Sequence, residues 1–147
     1  MVKLRASIPL LVSLLAALLL SGCSLLAKDP PGVGSLTLTD KVQEGSMAPV
    51  SQLDAFTSAH KVIYATVLVQ NPRKGTQVTA RWTFDREGSG TFIAVDESSV
   101  TFPQDSTENY VAFSLKAVSA FLPGTYKVEV LLDGKPVREQ TFKVTGA

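Results

Sequence analysis

The clearest pattern in the chain runs from Val78 to Asp85, where Val78, Ala80, Trp82 and Phe84 alternate with Thr79, Arg81, Thr83 and Asp85. A period of two puts the apolar side chains on one face of a strand and the polar ones on the other. Such a strand belongs to an antiparallel sheet that is buried on one side and wet on the other. The same period recurs along the chain. Leu36 and Leu38 alternate with Thr37 and Thr39, which predicts a first strand. Val62 to Val69 predicts a longer one, with Ile63, Ala65, Val67 and Val69 on one face and Val62, Tyr64, Thr66 and Leu68 on the other. Thr91 to Val95 and Ser99 to Phe102 read as two short strands. Val111, Phe113 and Leu115 are the inward candidates of Asn109 to Ala117. Tyr126, Val128, Val130 and Leu132 alternate with Lys127, Glu129 and Leu131, and Phe142 and Val144 point inward from the last strand, Val137 to Thr145.

Turn chemistry separates these runs. Asn71-Pro72-Arg73-Lys74-Gly75 and Gly88-Ser89-Gly90 are turns, Ala120 to Gly124 is a corner, and Asp133-Gly134 is a tight-hairpin signal. No segment holds a helical period. Asp40 to Ala59 has only weak periodicity. A connection of about twenty residues is long for a domain of this size, so it holds either a short element or a binding loop.

Seven or so short strands with frequent turns predict an all-β fold, an antiparallel β-sandwich. Within it, Trp82 stands in the third main strand, and Leu122-Pro123-Gly124-Thr125-Tyr126 precedes the alternation of the penultimate one. The run from Ala59 to Val144 resembles immunoglobulin-like and fibronectin type III-like domains. That resemblance implies that Trp82 and Tyr126 are core residues. It also implies a tyrosine corner, in which the Tyr126 hydroxyl bonds backbone a few residues upstream. The chain departs from antibody domains in lacking an inter-sheet cysteine pair, since Cys23 is its only cysteine. The fold carries no activity by itself.

The N-terminus has a different pattern. Lys3 and Arg5 precede an apolar run from Ile8 to Leu20, broken only by Pro9 and Ser13, and then comes Leu20-Ser21-Gly22-Cys23. The run is shorter than the roughly 20 residues a membrane-spanning helix needs, and it has the parts of an export signal. With its final four residues it resembles the signal of bacterial lipoproteins. The resemblance implies cleavage after Gly22 and a diacylglycerol on the Cys23 sulfur. Its amine is acylated as well, with palmitate-like chains, in bacteria that have an outer membrane. Two or three acyl chains at about 0.8 kcal/mol per buried CH₂ make a stable anchor. Ser24 in place of Asp leans toward the outer membrane, with the cell membrane as the alternative and the domain facing periplasm or cell exterior. The chain thus divides into a signal peptide over residues 1–22, a lipidated tether over 23–35 containing Pro30-Pro31-Gly32, and a sandwich domain over 36–147. Fully extended, the tether would reach roughly 40 Å.

Charge and composition remove several functions. The precursor of 147 residues has a net charge of +1, and loss of Lys3 and Arg5 with the leader brings the remaining 125 residues to −1. That balance gives no electrostatic case for nucleic acid. A lipidated Cys23 leaves no thiol for a disulfide or a metal. His60 is the only histidine, with no Gly-x-Ser-x-Gly partner, and reads as a solvated residue at a strand start. Asp85-Arg86-Glu87 and Asp96-Glu97 flank turns and read as solvated loop charge, and Asp105 lacks calcium-loop companions. No catalytic residue, metal ligand or cofactor site is expected. The expectation is a lipid-anchored, non-enzymatic envelope protein that binds a protein or glycan through its sandwich domain. The alternatives are an inhibitor of an extracellular enzyme, using the loop after Asp40, or a small envelope hydrolase or its accessory domain.

Overall fold

In a computed structural model, which describes residues 28–147, the alternating segments form eight strands and no helix. These are β1 (Gly32–Thr39), β2 (Ala55–Thr57), β3 (Val62–Gln70), β4 (Gln77–Asp85), β5 (Ile93–Thr101), β6 (Glu108–Lys116), β7 (Gly124–Leu132) and β8 (Lys135–Thr145). They make a three-stranded sheet in the order β1-β3-β6 and a five-stranded sheet in the order β2-β8-β7-β4-β5. All pairs are antiparallel except β2 with β8. The expected signal peptide, residues 1–22, and Cys23 lie outside the described residues.

The core lies where the inner faces of the two sheets meet. Ile63, Ala65, Val67 and Val69 from β3 are wholly buried, as are Val78, Ala80 and Trp82 from β4 and Val128 and Val130 from β7. Each Val or Ile among them removed from water contributes about 1.5–3 kcal/mol against the entropy of ordering the chain. An aromatic cluster fills one half of the sandwich. The Trp82 ring meets Phe142 edge-on at 6.3 Å, and Tyr126 stacks on Phe142 at 5.5 Å. Gly124 leaves room for this cluster, because a Cβ there would come within 2.5 Å of the Phe84 ring.

The Asp133-Gly134 hairpin forms as its chemistry predicts, with φ of 49° and 81° at the two residues. Several other expectations are corrected. The strand expected from Leu36 begins at Gly32, so residues 32–35 belong to the sheet and not to the tether. A bulge between Val33 and Leu36 breaks the simple alternation there and buries Val33. Arg138 holds this bulge from the other sheet, donating to the carbonyls of Val33 at 2.6 Å and Gly34 at 2.8 Å. The two short strands expected around Asp96 are one strand, β5, in which Asp96 and Glu97 are paired residues. The shift opposite Trp82 and Thr83 leaves Val95 as the extra residue, which is why the period breaks there. Leu131 keeps the outward phase its alternation gave, opposite Thr79, yet is buried there and not exposed to water.

The segment from Asp40 to Ala59 contains the missed strand. Val42 bridges Pro49, and the amide of Gln43 donates to the Ala48 carbonyl at 2.8 Å, closing a small hairpin. The chain then crosses to the second sheet, where β2 runs parallel to the end of β8 and buries Phe56. β1 and β2 therefore act as two halves of one edge strand, one in each sheet.

Candidate functional site

The residues singled out in the sequence do not converge on one cleft. Trp82 has no exposure to solvent, and Tyr126 is buried between Phe84, Phe121 and Phe142. The Tyr126 hydroxyl donates to the Leu122 carbonyl, four residues upstream, at 3.0 Å. That contact is the tyrosine corner. Burial pushes the Tyr126 hydroxyl above its ordinary pKa. The indole N–H of Trp82 is buried without a partner among the described residues.

Asp85 differs from its expected place. It is buried, at the end of β4, and not part of a solvated loop. One carboxylate oxygen accepts from the amides of Glu87, Gly88 and Ser89 at 3.1, 2.9 and 3.2 Å, and the other accepts from Gly90 at 2.7 Å. Burial pushes this carboxyl up, but the four amides outweigh it and hold the group below its ordinary value. The carboxylate folds the β4–β5 loop around itself, which is a structural task. Glu97 is bonded to Arg81 at 2.7 Å across the exposed face, with Glu129 3.9 Å away on the other side of the guanidinium.

His60 is not a free edge residue either. Its Nδ1 accepts from the Thr57 amide at 3.1 Å, and its ring meets Phe56 edge-on at 5.3 Å, so it closes the turn between β2 and β3. Among the described residues no three His, Cys, Asp or Glu side chains gather as metal ligands would.

A different grouping stands at one end of the sandwich. Following the strands in order, the β3–β4 turn, the β5–β6 loop and the β7–β8 hairpin lie at the end where β1 begins. The first two are joined there: the Asn71 amide donates to Thr107 at 2.7 Å and the Ser106 amide to Pro72 at 2.9 Å. The segment before β1 is seated on them. A guanidinium nitrogen of Arg73 donates to the carbonyls of Lys28 at 3.0 Å and Asp29 at 3.5 Å. The Lys28 ammonium lies 3.6 Å from Asp105, whose carboxylate also accepts from the Lys74 amide at 3.0 Å. That amide, with Lys28 and Arg73 adding to it despite some desolvation, holds the Asp105 carboxyl below its ordinary value. Together these groups line a cavity of about 410 Å³. Sequence reading missed the grouping because its members are more than thirty positions apart, as Lys28 and Arg73 show, and no local pattern links them.

The opposite end consists of the Lys41–Val50 hairpin, the β2–β3 turn, the β4–β5 loop and the β6–β7 loop. It displays Met47, Val50, Val118 and Leu122, all exposed. Met47 holds a φ of 59°, a left-handed backbone that few side chains adopt.

No protein-family model matches the chain, and no curated protein matches it by sequence. Solved structures do resemble it. An immunoglobulin-like protein from Pseudomonas aeruginosa aligns with a TM-score of 0.52 at 13% identity, over 80% of this chain and 98% of that one. Two larger proteins align less well. One is the alkylpurine DNA glycosylase AlkC of Pseudomonas fluorescens, with a TM-score of 0.40 at 10% identity over 78% of this chain and 30% of that one. The other is a beta-glucosidase from Listeria innocua, with a TM-score of 0.47 at 13% identity over 81% of this chain and 17% of that one. The first likeness agrees with the strand order, and the described residues form an immunoglobulin-like β-sandwich. At such identity the likeness concerns fold and not activity.

Proposed function

We propose that this is a lipid-anchored, non-enzymatic envelope protein whose immunoglobulin-like domain binds a protein or glycan partner at the cell membrane or outer membrane. The observation that carries this reading is the run Leu20-Ser21-Gly22-Cys23 after a short apolar segment, only a few residues ahead of the folded domain. Lipid chemistry needs the thiol, and Cys23 is the one cysteine available. Asp85, Asp105 and His60 are each engaged in holding a loop, which favours a structural task for them over a catalytic one. A second reading, an inhibitor of an extracellular enzyme, draws on the Lys41–Val50 hairpin, whose backbone is bonded internally and whose Met47 is exposed. The φ of Met47 departs from an extended, substrate-like strand, so the hairpin would have to block an enzyme without imitating its substrate.

Metabolic labelling with a palmitate analogue tests the anchor. The native chain should be labelled, processed and recovered with membranes. Cys23→Ser should give an unlabelled precursor of full length. Normal processing and membrane retention of Cys23→Ser would refute the lipoprotein reading.

A further inference from the structure

We infer that the end of the sandwich formed by the β3–β4 turn, the β5–β6 loop and the β7–β8 hairpin lies against the headgroups of the anchoring bilayer, clamped there by Arg73 through the backbone of Lys28 and Asp29. This inference rests on the lipid-anchor reading of Cys23 and extends it to an orientation. Its argument is the length of chain outside the domain and the place where that chain ends. Five residue steps separate Cys23 from Lys28, so the two are at most about 18 Å apart however the chain runs. Without the clamp the first fixed residue would be Gly32, nine steps away, and the reach would rise to about 32 Å. Arg73 and Asp105 therefore shorten the leash by gripping it at Lys28 and Asp29.

A short leash fixed at one end of an elongated body decides which end faces the membrane. β3 has nine residues and runs the length of the sandwich, which makes the opposite end about 30 Å farther away. Met47, Val50, Val118 and Leu122 sit at that far end, beyond contact with the anchoring bilayer. Their exposure thus serves something other than insertion into it. At the near end Lys28 and Arg73 balance Asp29 and Asp105 around the cavity, so the contact requires no anionic lipid.

The acylated protein, processed after Gly22, tests this in phosphatidylcholine vesicles. The lipidated Cys23 has no free thiol, so a single new cysteine can carry a fluorophore, placed by Lys74→Cys at the near end or Met47→Cys at the far end. Nitroxide headgroup lipids should quench the label at position 74 several-fold more than the label at position 47, with or without added phosphatidylglycerol. Adding Arg73→Ala should shrink that contrast at least twofold while the melting curve keeps a single folded transition. Equal or reversed quenching in vesicle-bound protein would overturn the orientation and leave the anchor standing. Failure to associate with vesicles at all would overturn the anchor itself. A contrast unchanged by Arg73→Ala would overturn the clamp.

Discussion

Trp82 offers a sharp test of the packing, because its ring and its N–H pull in opposite directions. The side chain is wholly buried, with Phe142 edge-on to it. Truncation by Trp82→Ala removes the whole ring from a close-packed interior and should cost about 3–5 kcal/mol. Domains of this kind hold only about 5–15 kcal/mol in total, so much of the stability would go. Trp82→Phe is a different perturbation. It removes roughly three heavy atoms, worth about 2 kcal/mol at about 0.8 kcal/mol per CH₂. It also removes the indole N–H, which is buried without a partner among the described residues. A donor left in that state costs about 1–3 kcal/mol. The two effects nearly cancel, and Trp82→Phe should lie within about 1 kcal/mol of the native protein.

Urea melts of the soluble domain, begun after Cys23, would measure both variants, with Arg81→Ala as a control. Arg81 lies on the same strand but faces outward, half-exposed between Glu97 and Glu129. Surface pairs of this kind contribute at most about 1 kcal/mol. If Trp82→Phe proved as damaging as Trp82→Ala, the N–H would have to be bonded, to a trapped water for instance, and the cancellation would fail. If Arg81→Ala matched Trp82→Ala, the two faces of β4 would be assigned the wrong way round.

Two further substitutions probe the loops. Tyr126→Phe removes the hydroxyl that satisfies the Leu122 carbonyl and should cost about 1–3 kcal/mol in the same melts, so an unchanged midpoint would deny the corner its role. Asp85→Asn should lower the melting temperature at neutral pH, because the charged carboxylate is what the four amides hold. The pKa of Asp85 is lower folded than unfolded, so its contribution is complete above the ordinary value near 3.8 and is lost as pH falls through the folded one. The gap between the native protein and Asp85→Asn should therefore narrow below that pH, and a gap that widened on acidification would refute the assignment.

Much of this fold could be read from alternation, and the exceptions share a cause. Where a strand has one dry face, as in Val78–Phe84, the period of two survived and all four apolar side chains are buried, although Thr79 on the polar face is buried too, bonded to Ser99. β5 has no dry face. Each of its residues is exposed, so nothing selected for a pattern, and it resembled two fragments flanking a charged loop. β2 escaped notice because it is three residues long and is defined by its parallel partner in β8, not by its own composition. Bulges beside Val33 in β1, Val95 in β5 and Val137 in β8 each add a residue and reverse the phase of the strand beyond them. Asp85 failed for another reason. It occupies the polar phase of β4, but it is the last residue of the strand, where a loop folds back over it.

The site was less legible than the fold, and the path of the chain explains why. β1 and β2 run in the same direction, one in each sheet, and count as a single pass across the sandwich. The eight strands therefore make seven passes, an odd number, and the chain enters at one end and leaves at the other. Entry fixes which loops stand beside Lys28: those after β3, β5 and β7. Only the folded path brings Arg73 and Asp105 to the incoming segment. The proposed lipid on Cys23 would turn this topological fact into an orientation, with the entry loops toward the bilayer and the hairpin bearing Met47 away from it. The two classes of side chain at the ends suit that division. In the proposed orientation the charged groups bonded to one another would meet the hydrated headgroups, while exposed Met47, Val50, Val118 and Leu122 would face away from the membrane.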